Sequence, residues 1–241
     1  MLTPDRSYTR YTDQVEQLQP DEEQVFDQIN ATLLDISGKV GARQRHTVRS
    51  VHAKSHGLLR AELEVLSGLS EPLRQGLFSE SRRYDTIMRF STNPGDILSD
   101  HISAPRGLAV KVLGAEGEMH PSHKGHTTQD FVFNNSRVFH APNAKAFLSG
   151  IRVLDRHVND SEAFKQTVSS TAQLVEEALE LVGSSSAVLT GVGHPATEPL
   201  GETYFTAVPL RYSDFFGKFQ LVPVSESLKD LYGKHPKNPR S

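Results

Sequence analysis

Three kinds of side chain in this sequence are equipped for chemistry: one histidine in an apolar stretch, arginines in strand-like segments, and an asparagine pair at a strand end. The histidine is His52, within Arg49-Ser50-Val51-His52-Ala53-Lys54-Ser55-His56-Gly57-Leu58. An imidazole among apolar residues resists protonation, so it stays neutral near pH 7 and is able to take a proton and return it. The ordinary alternative is a structural histidine. On a regular strand Val51 and His52 point to opposite faces, and Arg49 and His52 also differ in parity unless a bulge intervenes. Arg49 and Arg89 need an anionic partner, either a protein carboxylate at the rim or a carboxylate-bearing ligand. Asn134-Asn135-Ser136 reads as a turn and formally as a glycosylation acceptor, whereas an inward-facing Asn134 amide would orient a small polar substrate.

Other patterns carry less. His120-Pro121-Ser122-His123-Lys124-Gly125-His126 is rich in imidazole, but Pro121 and Gly125 place it on a loop with no paired ligand motif. It reads as solvated loop, and no metal ligands are assigned. Gly191-Val192-Gly193-His194-Pro195 echoes a dinucleotide fingerprint but lacks the final glycine, and Pro195 is badly placed for the helix that should follow.

The 241 residues include no cysteine, which removes disulfides, thiolate metal sites, iron–sulfur clusters, haem-thiolate ligation and cysteine nucleophiles together. A net charge of -3 with 23% charged residues offers no global basic field for nucleic acid. The start has no secretory pattern and no run approaches a membrane span, so a cytoplasmic protein is expected.

The elements that must position these side chains follow from periodicity. Residues 1–20 are polar and read as an extended arm; residues 21–232 form one domain, and 233–241 a polar tail. Val25, Phe26, Ile29, Leu33 and Leu34 predict a helix from Pro20 that ends near Gly38. A long strand is predicted over 47–66, then a short helix opened by Ser70 and Pro72, and strands over 86–92, 107–113 and 129–135. Helical patterns cover 143–158 and 161–183, and two last strands cover 202–212 and 217–224. The layout is α+β: four strands, a helical insertion, then two strands.

Read in order, Arg49-Ser50-Val51-His52-Ala53-Lys54, Met88-Arg89-Phe90-Ser91-Thr92, Pro105-Arg106-Gly107-Leu108-Ala109-Val110-Lys111 and Asp130-Phe131-Val132-Phe133-Asn134-Asn135-Ser136 resemble the distal half of the haem-dependent catalases. Gly201-Glu202-Thr203-Tyr204-Phe205 and Lys218-Phe219-Gln220-Leu221-Val222-Pro223-Val224 look like the next barrel strands of the small, catalase-related branch. The resemblance implies an antiparallel β-barrel with an N-terminal helix, a helical insertion and bound haem b. It makes His52 the distal acid/base, Asn134 the amide that orients peroxide, and Ser91 the hydroxyl that holds the histidine ring. Val51 would narrow the pocket, Phe139 and Phe147 would line the haem cavity, and Arg49 and Arg89 would meet the haem propionates.

The chain also departs from the family pattern. The arginine–three residues–tyrosine motif that binds iron in full catalases does not occur; Arg211-Tyr212 has the wrong spacing, and Thr203 stands where a proximal-side histidine is expected. Two closing strands and the proximal helix are missing from the pattern, which implies an incomplete barrel and a C-terminally truncated form, and open edges invite self-association into a homo-oligomer. The implied function is decomposition of hydrogen peroxide or a small organic hydroperoxide. The alternatives are a non-catalytic haem-binding or interaction domain that has lost the proximal ligand, and a haem enzyme redirected to organic or lipid hydroperoxides.

Overall fold

Glu22 and Glu23 open the first helix at its positive end and Arg43 lies in its last turn, so the charges complement the dipole of α1, Glu22–Gln44. The computed structural model describes residues 8–44, 49–93, 95, 97, 99, 104–139, 141–158 and 197–235. Val25, Ile29, Ile36 and Val40 recur on one side of α1 and are buried. The helix runs on past Gly38, its predicted end. A mid-helix glycine costs about 1 kcal/mol against alanine, and burial of Ile36 before it and Val40 beyond it offsets that cost. The second helix, α2, covers Ala144–His157, and Asn143 caps it by accepting from the Ala146 N–H at 2.9 Å. Val25 and Ile29 pack on Leu148 and Ile151, while Ile36 and Val40 pack on Leu154 and Val158. The two helices therefore run side by side in the same direction, tied by Lys145–Asp21 at 2.6 Å and Lys39–Asp155 at 2.8 Å. The predicted helix over 161–183 lies outside the described residues.

The strands are β1 (Ser55–Glu64), β2 (Arg83–Thr92), β3 (Arg106–Leu113), β4 (Thr128–Asn134), β5 (Tyr204–Thr206), β6 (Leu210–Tyr212), β7 (Phe215–Gly217) and β8 (Gln220–Leu221). Six form an antiparallel sheet in the order β1-β2-β3-β4-β5-β8, and β6 and β7 form a separate hairpin. This is an α+β fold whose sheet makes an incomplete barrel. Within the described part of the strand predicted over 47–66, regular pairing is confined to β1, and residues 49–54 before it are irregular. The predicted helix after Ser70 is a set of turns with one 3-10 turn, Gly76–Phe78. So short a segment cannot sustain a helix by itself, and its carbonyls are engaged elsewhere: Leu77 O accepts from the Tyr84 hydroxyl and Pro72 O from that of Tyr212. The two predicted C-terminal strands break into four. Pro209 has no N–H for a ladder and separates β5 from β6, and Pro223 follows β8.

Alternation assigns each sheet face a separate task. Leu108, Val110 and Val112 of β3 join Phe90, Phe131, Phe133 and Tyr204 in the main core. On the opposite face, register places Ser91, Gly107, Asn134 and Phe205 in one row across β2, β3, β4 and β5. The next row is Leu58, Arg89, Ala109 and Val132. Residues 9–11 run beside β7: Tyr11 donates to Asp214 O at 2.8 Å, and Phe216 donates to Thr9 O at 3.3 Å. No helix among the described residues is long and apolar enough to cross a membrane.

Candidate active site

His52 does not lie on a strand. It occupies a bend with φ of +53°, a left-handed conformation that side chains other than glycine adopt at a cost of about 1–2 kcal/mol. Its neighbours hold it there. The His52 N–H donates to Asn93 O at 2.7 Å, and Nη2 of Arg89 donates to the carbonyls of His52 at 2.7 Å and Ala53 at 3.4 Å. Strand parity therefore does not govern where Arg49, Val51 and His52 point. On its far side the bend is seated by Gly95, whose bare Cα lets the Ser50 carbonyl approach closely and which also faces Ile36 of α1.

The imidazole rests on Gly107. A Cβ built on that glycine would fall 2.6 Å from Nδ1 of His52 and 3.2 Å from Oγ of Ser91, so the missing side chain makes the ring's seat. Nothing in the reading of the sequence selected Gly107; the signal was a glycine inside a strand, which often marks a close approach. Ser91 is buried, and its Oγ lies 3.0 Å from Nδ1 of His52 while donating to Gly107 O at 3.4 Å. With its one proton so directed, the hydroxyl accepts from Nδ1–H, which leaves the lone pair on Nε2 free to act as a base. Burial, helped by the charges of Arg89 and Arg49, pushes the His52 pKa down to about 4, so the ring is neutral at pH 7.

Asn134 is the partner of Gly107 across the β3–β4 ladder, one strand spacing or about 4.8 Å beyond it. The His52 ring thus lies in a row between Ser91 and Asn134. The backbone N–H of Ser136 donates to Oδ1 of Asn134 at 3.0 Å, which fixes the amide's orientation and leaves Nδ2 as a donor without a partner among the described residues. Among the described residues Nε2 is an acceptor and Nδ2 a donor without a partner, and both lie on one sheet face.

The predicted cations also converge. Arg89 is half-buried on this face, and burial together with the Arg49 charge lowers its pKa. Among the described residues neither arginine pairs with a carboxylate, so of the two partners left open by the sequence the rim carboxylate is not found there. Arg49 is exposed and Val51 half-buried in the bend itself. Phe139 and Phe147 meet with ring centroids 6.1 Å apart, and Phe147 also packs against the α1–α2 cluster. The His120–His126 loop is exposed, and no metal-binding group of three or more His, Asp or Glu occurs among the described residues.

A second polar group lies across the sheet and was not singled out from sequence. Arg106 is 1% exposed and Glu202 7%, joined through Asn135, Thr197 and His56. Arg106 and Glu202 sit in motifs read only as strand sequence, so nothing marked them as buried charges.

With this geometry in place, comparison adds one family match: the model described as Catalase matches residues 30–197. No curated protein matches the chain.

Proposed function

Because this chain belongs to the catalase family, we propose that it is a peroxide-decomposing oxidoreductase that works on the His52–Gly107–Asn134 face with haem b as cofactor. One observation carries the proposal: a neutral imidazole with a free Nε2 is seated between Ser91 and an Asn134 amide whose donor is unspent. The face also fits the cofactor. Gly107 and Ala109 keep its floor low, and Leu58 and Val132, 70% and 67% exposed, offer apolar contact beside them. Arg49 and Arg89 supply two cations without carboxylate partners among the described residues, the complement of a planar apolar group bearing two carboxylates. Phe139, Phe147 and Val51 would line and narrow the cavity.

When bound, the haem iron supplies the redox chemistry with peroxide. The chain's own residues handle the protons and the orientation. His52 takes a proton at Nε2 from one peroxide oxygen and returns it to the other, so that water leaves. Ser91 holds the Nδ1–H tautomer, and Asn134 Nδ2 donates to the substrate without adding a second titrating group.

A second reading, haem binding without efficient turnover, draws on the tyrosines. Tyr84, Tyr204 and Tyr212 are not poised as iron ligands. Tyr84 and Tyr204 sit in the core on the other sheet face, their hydroxyls donating to Leu77 O and Pro199 O, and that of Tyr212 donates to Pro72 O. Burial pushes the Tyr204 hydroxyl up, away from the phenolate that ligation requires.

Titration of the full chain with haem, followed at the Soret band, tests the cofactor. Saturable one-to-one binding, weakened about tenfold by Arg49→Ala (about 1.4 kcal/mol), is expected. Absence of saturable binding would overturn the proposal.

A further inference from the structure

The residue after Asn134 faces the other way and is held through both its backbone and its side chain. Asn135 Oδ1 accepts from the Arg106 N–H at 2.9 Å, and the Asn135 N–H donates to Arg106 O at 3.2 Å. Backbone and side chain together therefore close residue 135 onto residue 106. The remaining donor, Nδ2, goes to Oε2 of Glu202, whose Oε1 accepts from Oγ1 of Thr197. Arg106 ties the same group to β1 and to the Thr197 segment, with Nη1 3.3 Å from Nε2 of His56 and Nη2 donating to Thr197 O at 3.4 Å.

The placement of this network is what gives it a role. Asn134 is the last ladder residue of β4, and beyond it the strand has no further register to hold it. Residues 106 and 107 are adjacent, as are 134 and 135: Gly107 and Asn134 lie on the His52 side, while the Arg106 and Asn135 side chains face the network. Fixing Asn135 against Arg106 therefore fixes how far Asn134 stands from Gly107 and from the ring resting on it. A buried carboxylate is a costly anchor unless its oxygens are satisfied and a cation is near; here Asn135 and Thr197 satisfy them, and Arg106 supplies a buried cation in the same network.

We propose that Asn135 and Glu202 are positioning residues for Asn134: Glu202, held by Thr197, clamps the Asn135 amide, and this sets the donor of Asn134 beside Nε2 of His52. The proposal rests on the reading of that face as a peroxide site, but its structural step is separable from it. Neither residue touches the substrate, and both act through the backbone of residues 134–135.

The clamp is tested with Glu202→Leu, Glu202→Gln and Thr197→Val in the full chain. The glutamine is a discriminating variant, because its carbonyl accepts from Asn135 while its amide donates to the Thr197 hydroxyl, so the clamp closes without charge. The first readout is the side-chain amide resonance pair of Asn134, assigned by its loss in Asn134→Ala. Glu202→Leu is expected to shift and broaden it, Thr197→Val to shift it less, and Glu202→Gln to restore the wild-type position. The second readout is peroxide turnover by the haem-loaded chain: about a tenfold loss in kcat/KM for Glu202→Leu with the Soret band unchanged, recovered in Glu202→Gln. If Glu202→Leu does not fold, Thr197→Val decides by the same resonances. Unmoved Asn134 resonances in Glu202→Leu, or in Thr197→Val where the leucine variant does not fold, would overturn the clamp. So would a glutamine variant as perturbed as the leucine one. Because those resonances are read without haem or peroxide, failure of the peroxide reading alone would leave them as predicted.

Discussion

His52 combines three features: a left-handed backbone, a half-buried ring beside two arginines, and a neutral state at a pH where free imidazole is partly charged. The last makes it a measurable titration. Its unfolded pKa is near 6.5 and its folded pKa about 4, so between these values the unfolded chain binds more protons. The contribution to stability is complete above pH 6.5 and is lost as pH falls through 4, amounting to roughly 2–4 kcal/mol. Denaturant melts from pH 7 to 4 should show this slope, and His52→Gln should flatten it; an unchanged slope would place the titration elsewhere. Gly107 offers a second test at this scale. In Gly107→Ala the new Cβ would fall 2.5 Å from Cε1 and 2.6 Å from Nδ1 of the imidazole, so the ring must shift from its seat. We expect about 1–3 kcal/mol of destabilisation and a shift of the His52 Nδ1 and Nε2 resonances by nitrogen NMR. Alanine at 107 with unmoved imidazole resonances would contradict the seat.

At the scale of elements, strands with regular alternation were legible in the sequence: β2, β3 and β4 lie within a few residues of where their patterns place them. The bend at 49–54 was not, because it is held by groups distant in sequence, Arg89 and Asn93, that no local pattern reports. The same holds past Gly38, where packing against α2 carries α1 through a residue that reads locally as a stop. The α1–α2 pair also sets how the bend is backed, through Ile36 and Gly95. At the start of α2 Asn143 satisfies one end group. Asn143→Ala should cost about 1 kcal/mol, seen as a lower denaturation midpoint with the haem-binding stoichiometry intact. A loss of haem binding in that variant would show that α2 does more than back the site.

Across the whole molecule, the incomplete barrel divides its labour between two faces of one sheet, an aromatic core on one side and the polar row on the other. Of the residues in that row, His52 and Asn134 were legible from type and setting, whereas Ser91 was reached only through the family resemblance. Their seat on Gly107 and the buried clamp behind Asn134 were not, because a glycine and a glutamate within strand sequence announce nothing until register places them. The most direct test of the account is oxygen evolution from hydrogen peroxide by the haem-loaded full chain and by its His52→Gln variant at equal haem occupancy. The account predicts turnover by the parent chain and a loss of about 100-fold or more in the variant, with the Soret titration unchanged. Turnover in the variant within twofold of the parent, or none in the parent at full haem occupancy, would contradict it.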